Sequence, residues 1–277
     1  MLDALFIIGN GFDLAHGMPT RYRDFRRWLV DNNRIDVIQE LQSAYPTVEG
    51  EDYLLWSDFE TALGQYDIDK VINWSWEDLC LTEYAIGGER FDNPLFFLDI
   101  QLNDIINSVF SGWARQIPIA EKAVKEVPNE ALYLTFNYTD TLEVLYHIPE
   151  TQICHIHGRA SVDEYVIVGH NREINPADYW DDSIDLRENN ERMQRLVNMN
   201  ELCKPYNEII ERNDDFFKAM RTVKDVYVDG HSCSMIDYPY FWKVKESVSE
   251  YALWHFNPHS DEDVSRIVKL KEEMEIQ

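Results

Sequence analysis

The chain has 277 residues, enough for one large domain or two modest ones. Its 45% hydrophobic and 13% aromatic content supplies a full core and excludes wholesale disorder. Asp and Glu number 51 against 25 Lys and Arg, a net charge of -26 that opposes binding to nucleic-acid backbones or anionic membrane surfaces.

The first predicted element is a buried strand, ALFIIG (Ala4 to Gly9), which breaks on Gly9, Asn10 and Gly11. Glycines there let the backbone turn tightly and approach a ligand, or simply turn a corner. The full dinucleotide fingerprint would need a glycine at position 14, where Leu14 stands, and the next glycine is Gly17. Asp13 could bond a ribose hydroxyl or cap a turn, and Pro19 ends the loop with a rigid φ. Thr20 then caps a predicted helical stretch, TRYRDFRRWLVDNNRIDVIQELQSAY, and the basic residues of its TRYRDFRR start read as a solvated face.

DYLLWSDFETALGQY places Leu55, Phe59 and Leu63 on one helical stripe, and NPLFFLDIQLNDIINSVFSGWARQI is a strongly amphipathic run after Pro94. The span from about 50 to 127 is therefore read as a helical insertion. Its Trp56, Trp74 and Trp76 belong to the core, or else cover a crevice or meet a partner.

A second strand, ALYLTF (Ala131 to Phe136), stops on Asn137, Tyr138, Thr139 and Asp140, with a helix following. Those residue types start helices, but at a strand's carboxyl end they also face the crevice where α/β proteins bind ligands. ICHIHG (Ile153 to Gly158) is the third strand. Alternation puts His155 and His157 on one face. His157, at the strand end before Gly158, is placed for general-base chemistry, and His155 reads as a structural histidine.

YVIVG (Tyr165 to Gly169) is the fourth predicted strand, leading into His170 and Asn171. The polar helical stretch from Arg187 to Met220 should break at Pro205. DVYVDG (Asp225 to Gly230) is the fifth strand, followed by His231 and Ser232, and Ser232 lacks the G-x-S-x-G frame of a hydrolase elbow. The remainder, MIDYPYFWKVKESVSEYALWHF and SDEDVSRIVKLKEEMEI, is predicted helical.

Strands covered on both faces and alternating with helices predict an α/β, Rossmann-like fold. Its mostly parallel sheet would be flanked by helices, within one domain over residues 1–277. Cys80, Cys154, Cys203 and Cys233 stand alone, so no zinc or redox spacing exists and no metal is expected. The acidic, short start and the lack of a long apolar run give the expectation of a cytoplasmic protein.

The stretch IIGNGFDLAHGMPTRYRDF, continued by LWSDFETALG, LTFNYTDTLE, HIHG and VYVDGHSCSMIDYPYF, resembles the abortive-infection AbiH family of bacterial phage-defence proteins. More distantly, the order of these junctions is similar to the sirtuin-like nicotinamide-dinucleotide fold. That resemblance implies a dinucleotide loop at Gly9, Asn10, Gly11, Asp13 and Pro19, with Asn137 beside the nicotinamide ribose or a water. It also implies His157 as the base and Gly230 and Ser232 near the adenosine. Gly169, His170 and His231 complete the expected rim. The sirtuin four-cysteine module is missing and the loop reads GNGFD, so cleavage or binding of NAD is implied rather than deacylation. Three functions follow as expectations: an NAD glycohydrolase, a sensor of a nucleotide or phage protein without turnover, and, disfavoured by charge, a nuclease. The expected partners are a dinucleotide, a phage-derived activator and copies of the same chain.

Overall fold

A computed structural model describes residues 2–44, 52–65, 68 and 106–276. Trp74, Trp76 and Cys80 lie outside the described residues, as does most of the expected insertion. The chain forms two compact units. The first comprises Met1–Asp24, Ser111–Ile167 and Pro205–Gln277, and the second Phe25–Phe110 and Val168–Lys204.

The first unit is built on a five-stranded sheet: β1 (Ala4–Ile8), β2 (Leu132–Thr135), β3 (Ile153–His155), β4 (Asp225–Asp229) and β5 (Leu253–Asn257). Every pairing is parallel and the order is β3-β2-β1-β4-β5. This is the expected Rossmann-like α/β arrangement. The chain begins in the middle, builds outward to β3, then returns to the other side of β1, so the order reverses between β1 and β4. That switch point is where open α/β sheets place their ligand crevice.

Register explains why apolar runs became strands. Leu5 pairs with Leu132 and Val226, and Ile7 with Leu134 and Val228. These rows pack on one face against Ile209, Phe217, Tyr240, Phe241, Val244, Leu270 and Met274 from helices Tyr206–Arg212, Asp214–Ala219, Tyr238–Ser247 and Asp261–Met274. On the other face Phe6 stacks with Tyr133 at 5.5 Å and Tyr227 at 4.8 Å, while Ile8 packs with Phe12 and Leu142. Burial on both faces favours continuous apolar runs over alternation. Pro205 stands at the start of the Tyr206–Arg212 helix, where the long polar stretch breaks. Ser260 caps the last helix by accepting from the Asp263 N–H, with three acids in the first turn.

Several elements differ from expectation: Asn10–Ala15 is helical rather than loop, and the stretch from Thr20 forms two helices, Tyr22–Asp31 and Ile35–Ala44, with Thr20 outside the first. Residues 165–169 form no strand, because their amides go elsewhere: Val166 donates to Ser111 Oγ and Ile167 to the His157 carbonyl. The fifth strand is instead Leu253–Asn257, which the sequence placed in a helix. As an edge strand it alternates, with Trp254 and Phe256 against the core and Leu253 exposed. That short alternating run is easily absorbed into a neighbouring helical pattern.

In the second unit Phe25, Trp56, Phe59 and Phe110 form an aromatic cluster with ring separations of 5.2–6.3 Å. Trp56 is thus core, consistent with its burial. Lys204, whose side chain is fully buried, pairs with Glu60 at 2.8 Å. Among the described residues no helix is long and apolar enough to cross a membrane.

The turns after β1 and β4 touch at backbone level. A methyl group at Gly9 would lie 2.5 Å from the His231 Cα and 2.6 Å from the Gly230 carbonyl. Gly230, at φ +68°, occupies the left-handed region that favours glycine and has no room for a side chain against Phe12 and Gly11. Gly9→Ala should therefore destabilise the protein by about 1–3 kcal/mol through overpacking. Urea unfolding measures this, and a change below roughly 0.5 kcal/mol, the range of ordinary surface substitutions, would contradict the close approach.

Candidate functional site at the carboxyl ends of the strands

The Gly9 N–H donates to the Asp229 carbonyl (3.1 Å) and the Gly11 N–H to the Gly230 carbonyl (2.8 Å). Both amides are thus directed at the β4 turn, and what these glycines provide is close packing. Asn10 is exposed and its side-chain amide donates to the Thr20 carbonyl at 3.0 Å. Pro19 is exposed between buried Met18 and Thr20. At the end of β4, Lys125 Nζ holds both Asp229 oxygens (2.7 and 2.6 Å) and lies 5.4 Å from the Phe12 ring centre.

Asp13 is 1% exposed. Its Oδ2 accepts from Thr139 Oγ1 at 2.5 Å and its Oδ1 from Thr141 Oγ1 at 2.8 Å. Its backbone carbonyl accepts from the His16 and Met18 amides. Burial raises the Asp13 carboxyl above its ordinary range, while hydrogen bonds from Thr139, Thr141 and Asn137 oppose the shift. The carboxylate therefore ties the helix after β1 to the junction after β2. Thr139 is drawn to Asp13, and Asp140 takes the N-cap position before helix Thr141–Tyr146. Asp140 makes no cap bond and instead accepts from Arg159 Nε (2.7 Å) and Ser161 Oγ (2.9 Å).

His155 and His157 part company. β3 ends at His155, the chain turns over 156–157, and Gly158 adopts φ +89°. His155 donates from Nδ1 to the Asn137 carbonyl (3.1 Å), and its Nε2 lies 2.9 Å from Glu143 Oε1. His157 turns inward, its side chain 3% exposed, with edge-to-face contacts to Phe136 (5.2 Å) and Tyr240 (5.4 Å).

The His157 Nε2 lies 3.9 Å from Asp237 Oδ1, and the His231 Nε2 lies 3.4 Å from Asp237 Oδ2. Two imidazoles thus face one carboxylate, and the Phe136 ring touches both, at 4.3 Å from His231. Asn137 directly follows Phe136 and is itself buried. Ser232 is exposed. The sequence reading missed Asp237, Thr141 and Glu143. The available signal was the Asp of MIDYPYF, which stands at the N-cap of helix Tyr238–Ser247 without capping it.

Gly169 and His170 belong to the second unit and are fastened within it. The Gly169 N–H donates to Glu60 Oε1 (3.3 Å). His170 donates from Nε2 to the Met199 carbonyl (3.3 Å) and accepts the Arg172 N–H at Nδ1 (3.1 Å). Burial pushes its imidazole down to about 4, so it is neutral at neutral pH. Among the described residues, no three His, Cys, Asp or Glu side chains are grouped to hold a metal.

The family model described as bacteriophage abortive infection AbiH matches residues 5–257. Neither a curated protein nor a solved structure matches the chain significantly.

The raised Asp13 carboxyl has a defined consequence for stability. A folded value above the unfolded 3.8 makes its contribution complete below that value and lost as pH rises through the folded value. Wild type should therefore lose stability relative to Asp13→Asn as pH climbs from below 3.8 toward neutrality. Urea unfolding of both proteins across that range tests it, and a pH-independent difference would count against a buried, raised Asp13.

Proposed function

The chain belongs to the bacteriophage abortive infection AbiH family and so serves in phage abortive infection, and from that premise we propose that it binds NAD at the carboxyl rim of its first unit and hydrolyses it. The observation that carries the reading is the buried Asp237 carboxylate facing the His157 imidazole beside Phe136, at the end of the sheet where ligands of such folds bind.

In the proposed reaction the bond between nicotinamide and the ribose C1′ breaks, its electron pair leaving with nicotinamide. Positive charge develops on the ribose, a water oxygen bonds C1′, and the water's proton passes to a base. The His157 imidazole would take that proton, and the Asp237 carboxylate, 3.9 Å from its Nε2, would stabilise the imidazolium that forms. Asn137 would orient the water or a ribose hydroxyl, its side chain held by the Asp13 knot. The Gly9 and Gly11 amides are engaged with β4, so the pyrophosphate would be held by other donors.

A second reading, a sensor that binds a nucleotide without turnover, is favoured by the burial of His157. Calorimetry with NAD and ADP-ribose separates the two, since binding without product supports the sensor. Purified protein, alone and with a phage lysate as activator, should release nicotinamide from NAD. His157→Ala and Asp237→Asn should each lower that rate about 10²–10⁴-fold, the usual worth of acid–base catalysis. Release that is equal in wild type and both variants would remove His157 and Asp237 from the chemistry.

A further inference from the structure

We propose that His231 is a positioning residue, which holds Asp237 against His157 and does not itself touch a ligand. Its effect on turnover rests on the NAD reading above, while its geometry stands apart from it.

The turn after β4 curls back on itself, with Gly230 at φ +68° and Cys233 at φ +51°. A non-glycine residue in the left-handed region persists only where its surroundings fix it. What this backbone accomplishes is to aim the Cys233 N–H at His231 Nδ1, 2.9 Å away. A ring nitrogen that accepts a hydrogen bond carries no hydrogen, so the neutral imidazole has its hydrogen on Nε2. That N–H faces Asp237 Oδ2 at 3.4 Å, and the other carboxylate oxygen faces His157 Nε2 at 3.9 Å. The imidazole is walled by Phe136 at 4.3 Å and Phe241 at 5.1 Å, and its side chain is 3% exposed. Nδ1 is committed, Nε2 faces the Asp237 carboxylate and both flanks are packed, which leaves the ring to orient a neighbour.

Long-range proton–nitrogen correlation spectra of the full chain, labelled with 15N-histidine at mildly alkaline pH, test this. His231 and His157 are assigned with the variants His231→Gln and His157→Ala. His231 should show a bare Nδ1 and a hydrogen on Nε2, and Asp237→Asn should shift the Nε2 signals of both imidazoles together. His231→Gln, whose amide can replace the Nε2–H donor, should leave the His157 signals near their wild-type positions, whereas His231→Phe should move them. In turnover, His231→Phe should lower kcat about 10–100-fold with little change in KM, the usual effect of losing an orienting partner. His231→Gln should recover most of that loss. A hydrogen on Nδ1, a shift confined to one ring, or indistinguishable Gln and Phe variants would overturn the assignment. If wild type releases no nicotinamide under any condition, the NAD reading fails while the spectra still decide the positioning role.

Discussion

Backbone hydrogen bonds join the turn after β1 to the turn after β4, Gly9 to Asp229 and Gly11 to Gly230. They extend the β1–β4 pairing past the end of the ladder, at the point where strand order reverses. The approach is close enough that neither Gly9 nor Gly230 can carry a side chain without displacing the facing backbone. Once the two turns are locked, the residue after Gly230 is forced inward, and His231 lands on the Phe136 ring. The rest of the site is built outward from that seam: His231 meets Asp237, and Asp237 meets His157.

A second fastening runs along the β1–β2 side. Asp13 binds two threonine hydroxyls of the junction after β2 and fixes the loop that carries Asn137. A carboxyl buried this deeply is tolerable because its acceptors are met by donors, and leaving either side unpaired would cost about 1–3 kcal/mol. His155 completes the bracing from β3 by donating to the Asn137 carbonyl, with Glu143 at its other ring nitrogen. The rim therefore carries a polar network around Asp13 and, in an aromatic frame of Phe136, Tyr240 and Phe241, the two imidazoles facing Asp237.

Much of this was visible in the chain itself, but unevenly. ALFIIG, ALYLTF, ICHIHG and DVYVDG announced β1 to β4 because strands buried on both faces need uninterrupted apolar residues. YVIVG carries the same signal and forms no strand, since its amides bond to Ser111 and His157 rather than to a neighbouring strand. ALWHF was hidden because an edge strand buries only alternate residues, and the helix Tyr238–Ser247 ends only a few residues before it. The glycines after β1 were legible as a close approach, yet the partner proved to be the turn after β4.

The sequence by itself determined the alternation of strands and helices, the punctuation by glycine at the strand ends, and the family likeness. These are properties of neighbouring residues, set by period, burial and backbone freedom. Only the tertiary structure decided that Asp13 meets a threonine 126 positions away, that Asp237 stands between two imidazoles, and that His155 and His157 face different partners. Those pairings depend on strand order and on turns such as the one at Gly158, where a single backbone angle redirects a side chain. No local pattern encodes which distant donor will reach a buried carboxylate, because that is fixed only when the sheet assembles.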